Sequence, residues 1–243
     1  MGRLVILSGP SCIGKGPLHA ALRRLHPDLA DALQTVVLYN DRAPRPAERD
    51  GVDYHFRPRS EIAALADRPG FLVMDVRGDL QALDLGELDR LLARGDAFFE
   101  GNAYVGGKLV QLPEREIVSA FLSPLSRAEI LGLRAPGRSV DLPKFVTDVM
   151  RRKLLRRTAR QKGILSQADL ENIERRASCA YTEMKEAPRF GCVIPNHDGE
   201  DSENWDAFYY PIGDAGRTLK AFVALLAGEE PPGAEQWEED LLP

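Results

Sequence analysis

The stretch Leu4 to Pro17, LVILSGPSCIGKGP, constrains this chain more than any other. Four apolar residues, Leu4-Val5-Ile6-Leu7, give way to a turn bounded by Gly9 and Gly14. Lys15 ends the turn, and a helical pattern follows from about Gly16 to Leu25. Strand, glycine-bounded turn, lysine and helix in that order read as a phosphate-binding loop. Gly9 and Gly14 let the backbone N–H groups of the turn, Ser11 included, point inward around a polyphosphate, and the helix N-terminus adds the positive end of its dipole. Lys15 supplies a mobile point charge for the β/γ oxygens. The next position ordinarily carries a Ser or Thr hydroxyl for Mg²⁺; here it is Gly16, followed by Pro17. Proline is tolerated in a first helical turn, where its missing N–H costs little.

With 243 residues the chain is long enough for a full core, and one α/β domain with insertions is the natural expectation. A content of 44% hydrophobic and 28% charged residues is ordinary for a soluble globular protein. The net charge of −5 argues against a role coating nucleic acid. No apolar run reaches membrane-spanning length, so no membrane partner is expected. Met1-Gly2-Arg3 leads directly into the first strand, and no signal peptide is expected. Three scattered cysteines (Cys12, Cys179, Cys192) suit reduced thiols in a cytoplasm better than a disulfide framework. Cys12, inside the loop, reads as a small residue filling a turn.

Beyond the first helix, Gln34 to Tyr39 (QTVVLY) predicts one strand, and Val52 to Phe56 another. Between them lies a Pro- and charge-rich loop in which Arg42 and Arg45 bracket Pro44. Two guanidinium forks at a stiffened spacing, with the Tyr54 hydroxyl, suit a clamp for a second phosphate. Ser60 predicts an N-cap for a helix over 61–66; Phe71 to Arg77 reads as a strand, Gly78-Asp79 as a turn, and Leu85 to Ala93 as an amphipathic helix. Asp96 to Asn102 reads as a buried strand whose end carries Glu100. In this fold class an acid there orients Mg²⁺ or its waters, the alternative being that Glu100 caps the turn that follows.

RAPRPAERDGVDYHF (42–56) resembles the signature of the guanylate kinase family, R-x-P-R-x-G-E-x-(D/N)-G-x-(D/E)-Y-x-F, with Ala47 at the family's glycine. The resemblance is strong over 1–56 and followable to about 227. It implies an α/β P-loop kinase fold: a mostly parallel sheet flanked by helices, with an acceptor-binding lobe at about 38–84, an enlarged lid at about 133–164, and an acidic flexible tail at 228–243. It also implies ATP and Mg²⁺ as cofactors and transfer of the γ-phosphate to a nucleoside monophosphate. Gly9, Ser11, Gly14, Lys15, Gly16 and Asn196 would bind ATP, with Asn196 in the strand-then-turn that touches adenine. Arg42, Arg45, Tyr54, Gln81 and Glu100 would bind the acceptor. Lys15, Arg176, Arg152 and Arg156 would neutralise the transferring group, and Glu100 would meet Mg²⁺ through water.

Several positions depart from the family. Leu38 replaces a phosphate-binding serine, Leu72 stands near the guanine-reading glutamate, Gln81 replaces a phosphate-binding tyrosine and Leu83 a hydroxyl residue. Glu100 and Asn102 stand where the family has two aspartates. Plain GMP is therefore one acceptor among several; a related nucleotide and a sugar phosphate stay open, as does a catalytically degenerate module that binds a phosphorylated partner. Val149 to Lys162 is strongly basic, and residues 152, 156 and 160 share a helix face. That face suits a lid over ATP, a grip on a polyanion such as a nucleic-acid end (not favoured), or a solvated surface paired with Glu171 and Glu174. Residues 199–213 form an insertion that the family lacks, and the tail from Gly228 is acidic with no basic residue. The residues do not address the oligomeric state.

Overall fold

A computed structural model describes residues 2–45, 48–138 and 140–243. In chain order the elements are β1 (Leu4–Ser8), α1 (Lys15–Leu25), α2 (Pro27–Asp31), β2 (Leu33–Thr35), β3 (Tyr39–Asn40), β4 (His55–Phe56), α3 (Arg59–Ala64), β5 (Phe71–Val76), β6 (Asp79–Asp84), α4 (Leu85–Arg94), β7 (Asp96–Gly101) and α5 (Ala103–Leu109). There follow β8 (Ile117–Ser123), α6 (Arg127–Leu133), α7 (Leu142–Lys162), α8 (Gln167–Ser178), α9 (Ala180–Met184), β9 (Cys192–Pro195) and α10 (Gly213–Leu226).

Among the described residues, five strands form a sheet in the order β2-β7-β1-β8-β9, with β2 parallel to β7 and β8 parallel to β9. All five residues of β1 are buried, as expected for a strand covered on both faces. This is the α/β P-loop kinase architecture that the family resemblance implies. No helix among the described residues is long and apolar enough to cross a membrane.

The chain divides into two compact units, and β1, β7 and β8 each begin in the first and end in the second. The first unit centres on Ala32–Phe99 and holds a second sheet, ordered β4-β3-β6-β5. β5 and β6 are an antiparallel hairpin with Val76 opposite Asp79, joined by Arg77 (φ 58°) and Gly78 (φ 90°). Positive φ at both loop positions matches the twist of the flanking strands.

Two expectations fail here. The strand read over Gln34–Tyr39 is two strands, because Thr35 pairs with Phe98 in one sheet and Tyr39 with Ala82 in the other. Val36 and Leu38 between them are buried, so the apolar run marks a crossing between sheets. The next helix starts at Arg59 behind Pro58, with no side-chain cap, so Ser60 lies inside it. Pro58 holds φ −54° and ψ 145°, an extended conformation that itself starts the helix.

The second unit comprises Ile6–Asp31, Glu100–Leu112 and Val118–Pro243. Its helix α5 has no periodic signal in the sequence, since Gly106 and Gly107 weaken helix propensity. The structure explains Gly106: a Cβ there would stand 2.1 Å from the Ser8 hydroxyl at the end of β1. In α7 the buried residues are Leu142, Val146, Met150, Leu154 and Thr158, one stripe at intervals of four. Positions 152, 156 and 160 lie two residues off that stripe, about 200° around the helix, and so face outward.

The segment 228–243 is packed, not flexible as its acidity suggests. Val193 and Glu235 form an antiparallel bridge, and Trp237, Leu241 and Leu242 are buried. Arg127 pairs with Glu238 at 2.7 Å, and the Tyr181 hydroxyl donates to the Pro243 carbonyl at 2.7 Å. The cations that neutralise the tail come from elsewhere in the chain, which a local charge count misses. Trp237→Ala is therefore expected to cost about 3 kcal/mol of stability, as for other buried aromatic truncations. Denaturant melts compared with Glu239→Ala, at an exposed site, check it; equal midpoints would refute a docked tail.

Candidate functional site

Within the second unit, the loop between β1 and α1 adopts the strained turn that its glycines allow. Gly9 has φ 146° and Gly14 φ 105°. A Cβ on Gly14 would stand 2.7 Å from the Asn196 amide and 2.9 Å from the Asp198 carbonyl. Lys15 is buried, and its ammonium donates to the Gly9 and Pro10 carbonyls at 2.9 Å each. Arg176 Nε donates to Ser11 Oγ at 3.0 Å, and the fully buried Asn196 donates to the Ile13 carbonyl at 2.7 Å. The structure thus brings Gly9, Ser11, Gly14, Lys15, Arg176 and Asn196 onto one loop. Cys12 is enclosed there with φ 67°; burial, and then the Glu200 charge, push its thiol up to about 12. A thiol in that state is inert. Around Gly16 a Cβ would meet nothing within 4 Å, so packing does not dictate the missing hydroxyl.

Arg152, Arg156 and Arg160 do not join this loop. Arg156 is 71% exposed, 3.8 Å from Asp201, and Arg160 pairs with Glu203 at 3.5 Å. The acidic partners are mostly not those expected: Glu174 pairs with Arg151 at 2.6 Å instead. The adjoining positions Lys153 and Arg157, flanking the buried stripe of α7, turn inward. Lys153 donates to the His197 carbonyl at 2.5 Å, and Arg157 reaches Glu200 at 2.5 Å. The basic positions that border the buried stripe of α7 are thus 153 and 157, which the apolar period of the helix marks, and not 152 and 156.

At the end of β7, Glu100 lies 3.5 Å from His19 Nδ1 on α1. Glu100 does not cap the following turn. Asn102 does so, its Oδ1 accepting from Tyr104 N at 2.8 Å while its amide donates to Glu183 at 2.8 Å. Among the described residues no group of three or more His, Cys, Asp or Glu is arranged to hold a metal ion. A Mg²⁺ ion bound through phosphate oxygens and water needs no such cage, and the single carboxylate of Glu100 fits that mode.

Within the first unit, Arg42, Arg45 and Tyr54 gather around Glu48. Arg42 makes a two-pronged ion pair with the Glu48 carboxylate, 2.7 Å on each arm, and its guanidinium lies 5.1 Å from the Tyr54 ring centre. Glu48 also accepts from Arg45 N at 2.7 Å, and the Arg45 guanidinium is 3.8 Å away. Burial opposes ionisation of Glu48, but the hydrogen bonds from Arg42 and Arg45 outweigh it and lower its pKa. Burial raises the pKa of Tyr54, so its hydroxyl stays a donor. Glu48, itself in the signature, was not singled out as a site residue, yet it orients both forks. Gln81 is buried on β6 opposite Asn40, and Leu38 and Leu83 belong to the apolar core.

One residue beside Asn196 gives this region a pH dependence. His197 places Nδ1 2.5 Å from Asp214, which also pairs with Arg217, and Nε2 3.0 Å from both Glu129 oxygens. Burial disfavours the charged ring, but the two carboxylates prevail and raise its pKa above 6.5. A raised folded value adds stability below the unfolded pKa and loses it as pH climbs through the folded one. His197→Gln is therefore expected to lower Tm most near about pH 5.5 and little near about pH 9. A Tm difference constant across that range would refute the pairing.

No family model matches the chain. Curated relatives do: it is 29% identical over 212 residues to a guanylate kinase from Synechococcus sp. (strain JA-3-3Ab), covering 86% of this chain and 83% of the relative. It is 35% identical over 150 residues to one from Corynebacterium diphtheriae, covering 60% of this chain and 76% of the relative. The fold also superposes on the crystal structure of guanylate kinase from Anaplasma phagocytophilum, with a TM-score of 0.53 and 19% identity over 93% of this chain and 85% of that one. A glycine loop closed on a buried lysine, a signature whose arginines and tyrosine converge, and relatives covering most of their length agree: the chain belongs to the guanylate kinase family of transferases.

Proposed function

We propose that the chain moves the γ-phosphate of ATP to a nucleoside monophosphate, with Mg²⁺. What carries the reading is the convergence of two cations, Lys15 and Arg176, on the loop Gly9–Gly14, which the amide of Asn196 braces, an arrangement suited to a triphosphate. Glu100 would hold Mg²⁺ through water, and the ion would supply neutralisation of the phosphate charge. Phosphoryl transfer of this kind is chiefly positioning and electrostatics, so no nucleophilic side chain is required. Arg42, Arg45 and Tyr54 supply donors for the acceptor's phosphate, Glu48 holding the forks until it arrives.

Leu72, near the place of the guanine-reading glutamate, and its cross-strand partner Leu83 are apolar and leave few polar groups to match a guanine edge, so the acceptor is GMP, dGMP or a related nucleotide under looser base selection. A panel of ribo- and deoxynucleoside monophosphates and sugar phosphates, followed by ADP release, tests this. Turnover with one or more nucleoside monophosphates is expected. Turnover with sugar phosphates alone would replace the acceptor class. ATP binding without turnover on any acceptor would replace the enzyme by a phosphate-binding module.

A further inference from the structure

Residues 199–205 begin the insertion and reach the phosphate loop directly. The Glu200 N–H donates to the Cys12 carbonyl at 3.2 Å, and a Cβ on Gly199 would stand 2.3 Å from that carbonyl, so glycine permits the approach. Trp205 Nε1 donates to the Asp198 and Gly199 carbonyls at 2.8 and 3.1 Å, closing the segment on itself. The same segment supplies acids to the basic helix: Glu200 to Arg157 at 2.5 Å, Asp201 to Lys153 at 3.6 Å and to Arg156 at 3.8 Å, and Glu203 to Arg160 at 3.5 Å. It is an acidic strap joining α7 to the loop.

Asp201 is the strap's most buried acid, its side chain 6% exposed, while Glu200, 21% exposed, is the acid whose own backbone meets the phosphate loop at Cys12. Burial would raise its pKa, yet the positive charges of Arg157, Lys15 and Arg176 hold it low. Arg176 is itself bonded to Ser11, and Lys15 to the carbonyls of Gly9 and Pro10. These are the cations that a polyphosphate on this loop requires.

We infer that Glu200 is an intramolecular anion competing with the donor's polyphosphate for Arg157 and the loop's other cations, so that strap docking and nucleotide binding oppose each other. The inference rests on reading the loop as the ATP site. A carboxylate that stays in place repels the incoming phosphates; one that withdraws gives up its bond to Arg157. Either route weakens binding, and by linkage bound nucleotide loosens the strap by the same factor.

The test titrates the whole chain, unmodified and as Glu200→Gln, with Mg–ATP and separately with tripolyphosphate. Glu200→Gln is expected to bind both about five- to tenfold more tightly. Glu203→Gln, whose 80% exposed side chain makes only a surface pair, is expected to change neither by more than about twofold. In an Arg157→Gln background the gain from Glu200→Gln shrinks, which isolates the pair. In the unmodified chain, ATP is expected to speed amide hydrogen exchange across 199–203.

Unchanged or weaker binding of both ligands by a folded Glu200→Gln overturns the competition, as does slower exchange across 199–203 on ATP addition. If that variant fails to fold, the exchange measurement decides. Tighter tripolyphosphate binding with no ATP binding keeps the competition and removes the ATP reading. Tight ATP binding unaffected by Glu200→Gln does the reverse.

Discussion

Lys15→Ala is expected to lower kcat/KM by about a thousandfold, roughly 4 kcal/mol of transition-state stabilisation, the upper range for removing one preorganised electrostatic group. The ammonium sits buried at the mouth of α1, held by two loop carbonyls, and so is aimed before any ligand arrives. Its removal takes away a positive charge from a water-poor site and leaves those carbonyls to find other donors. Lys15→Arg is not expected to rescue, since a planar fork cannot replace a compact point charge on a four-carbon stem. A coupled assay of ADP release, with ATP affinity by calorimetry and a thermal melt to confirm folding, checks this. A loss below about tenfold with normal ATP affinity would remove Lys15 from the chemistry.

Arg42→Ala is expected to raise the acceptor KM about a hundredfold while leaving the ATP KM nearly unchanged. That corresponds to about 2.7 kcal/mol, within the range for a hydrogen-bonded charged group. Two effects combine. The acceptor phosphate loses a bidentate partner, and Glu48 loses the fork that occupies its carboxylate, becoming a bare anion beside the incoming phosphate. Glu48→Gln separates the two. It frees Arg42 without removing it, so its KM increase should be several-fold smaller. Initial-rate kinetics with each substrate varied decide the matter; equal effects on both KM values would point to a general loss of structure.

Much of the architecture was legible in the residues because the constraint there is local. The run Leu4–Leu7 is apolar along its whole length, which suits only a strand covered on both faces, and all of it is buried. Gly9 and Gly14 announce a turn because a residue with a Cβ would be strained on that backbone path, and Lys15 marks it as a turn for phosphate through its charge. Arg42, Arg45 and Tyr54 stand out in the sequence because they lie within one short segment, and the structure gathers them around Glu48. Ser126 with Glu129 and Ser166 with Asp169 form capping boxes that open α6 and α8, each within four consecutive residues.

What sequence by itself determined is thus the loop, the signature and the alternation of strands and helices, each set by backbone sterics or by groups a few residues apart. The tertiary structure decided the rest. It turned Lys153 and Arg157, not Arg152 and Arg156, inward, because the buried stripe of α7 sets that helix's rotation. It brought Glu200 from a distant insertion to the Cys12 carbonyl, and packed an acidic tail against Arg127 and Val193. Charge composition reads as surface or disorder when counted along the chain. Its meaning changes once a distant segment supplies the counter-charge.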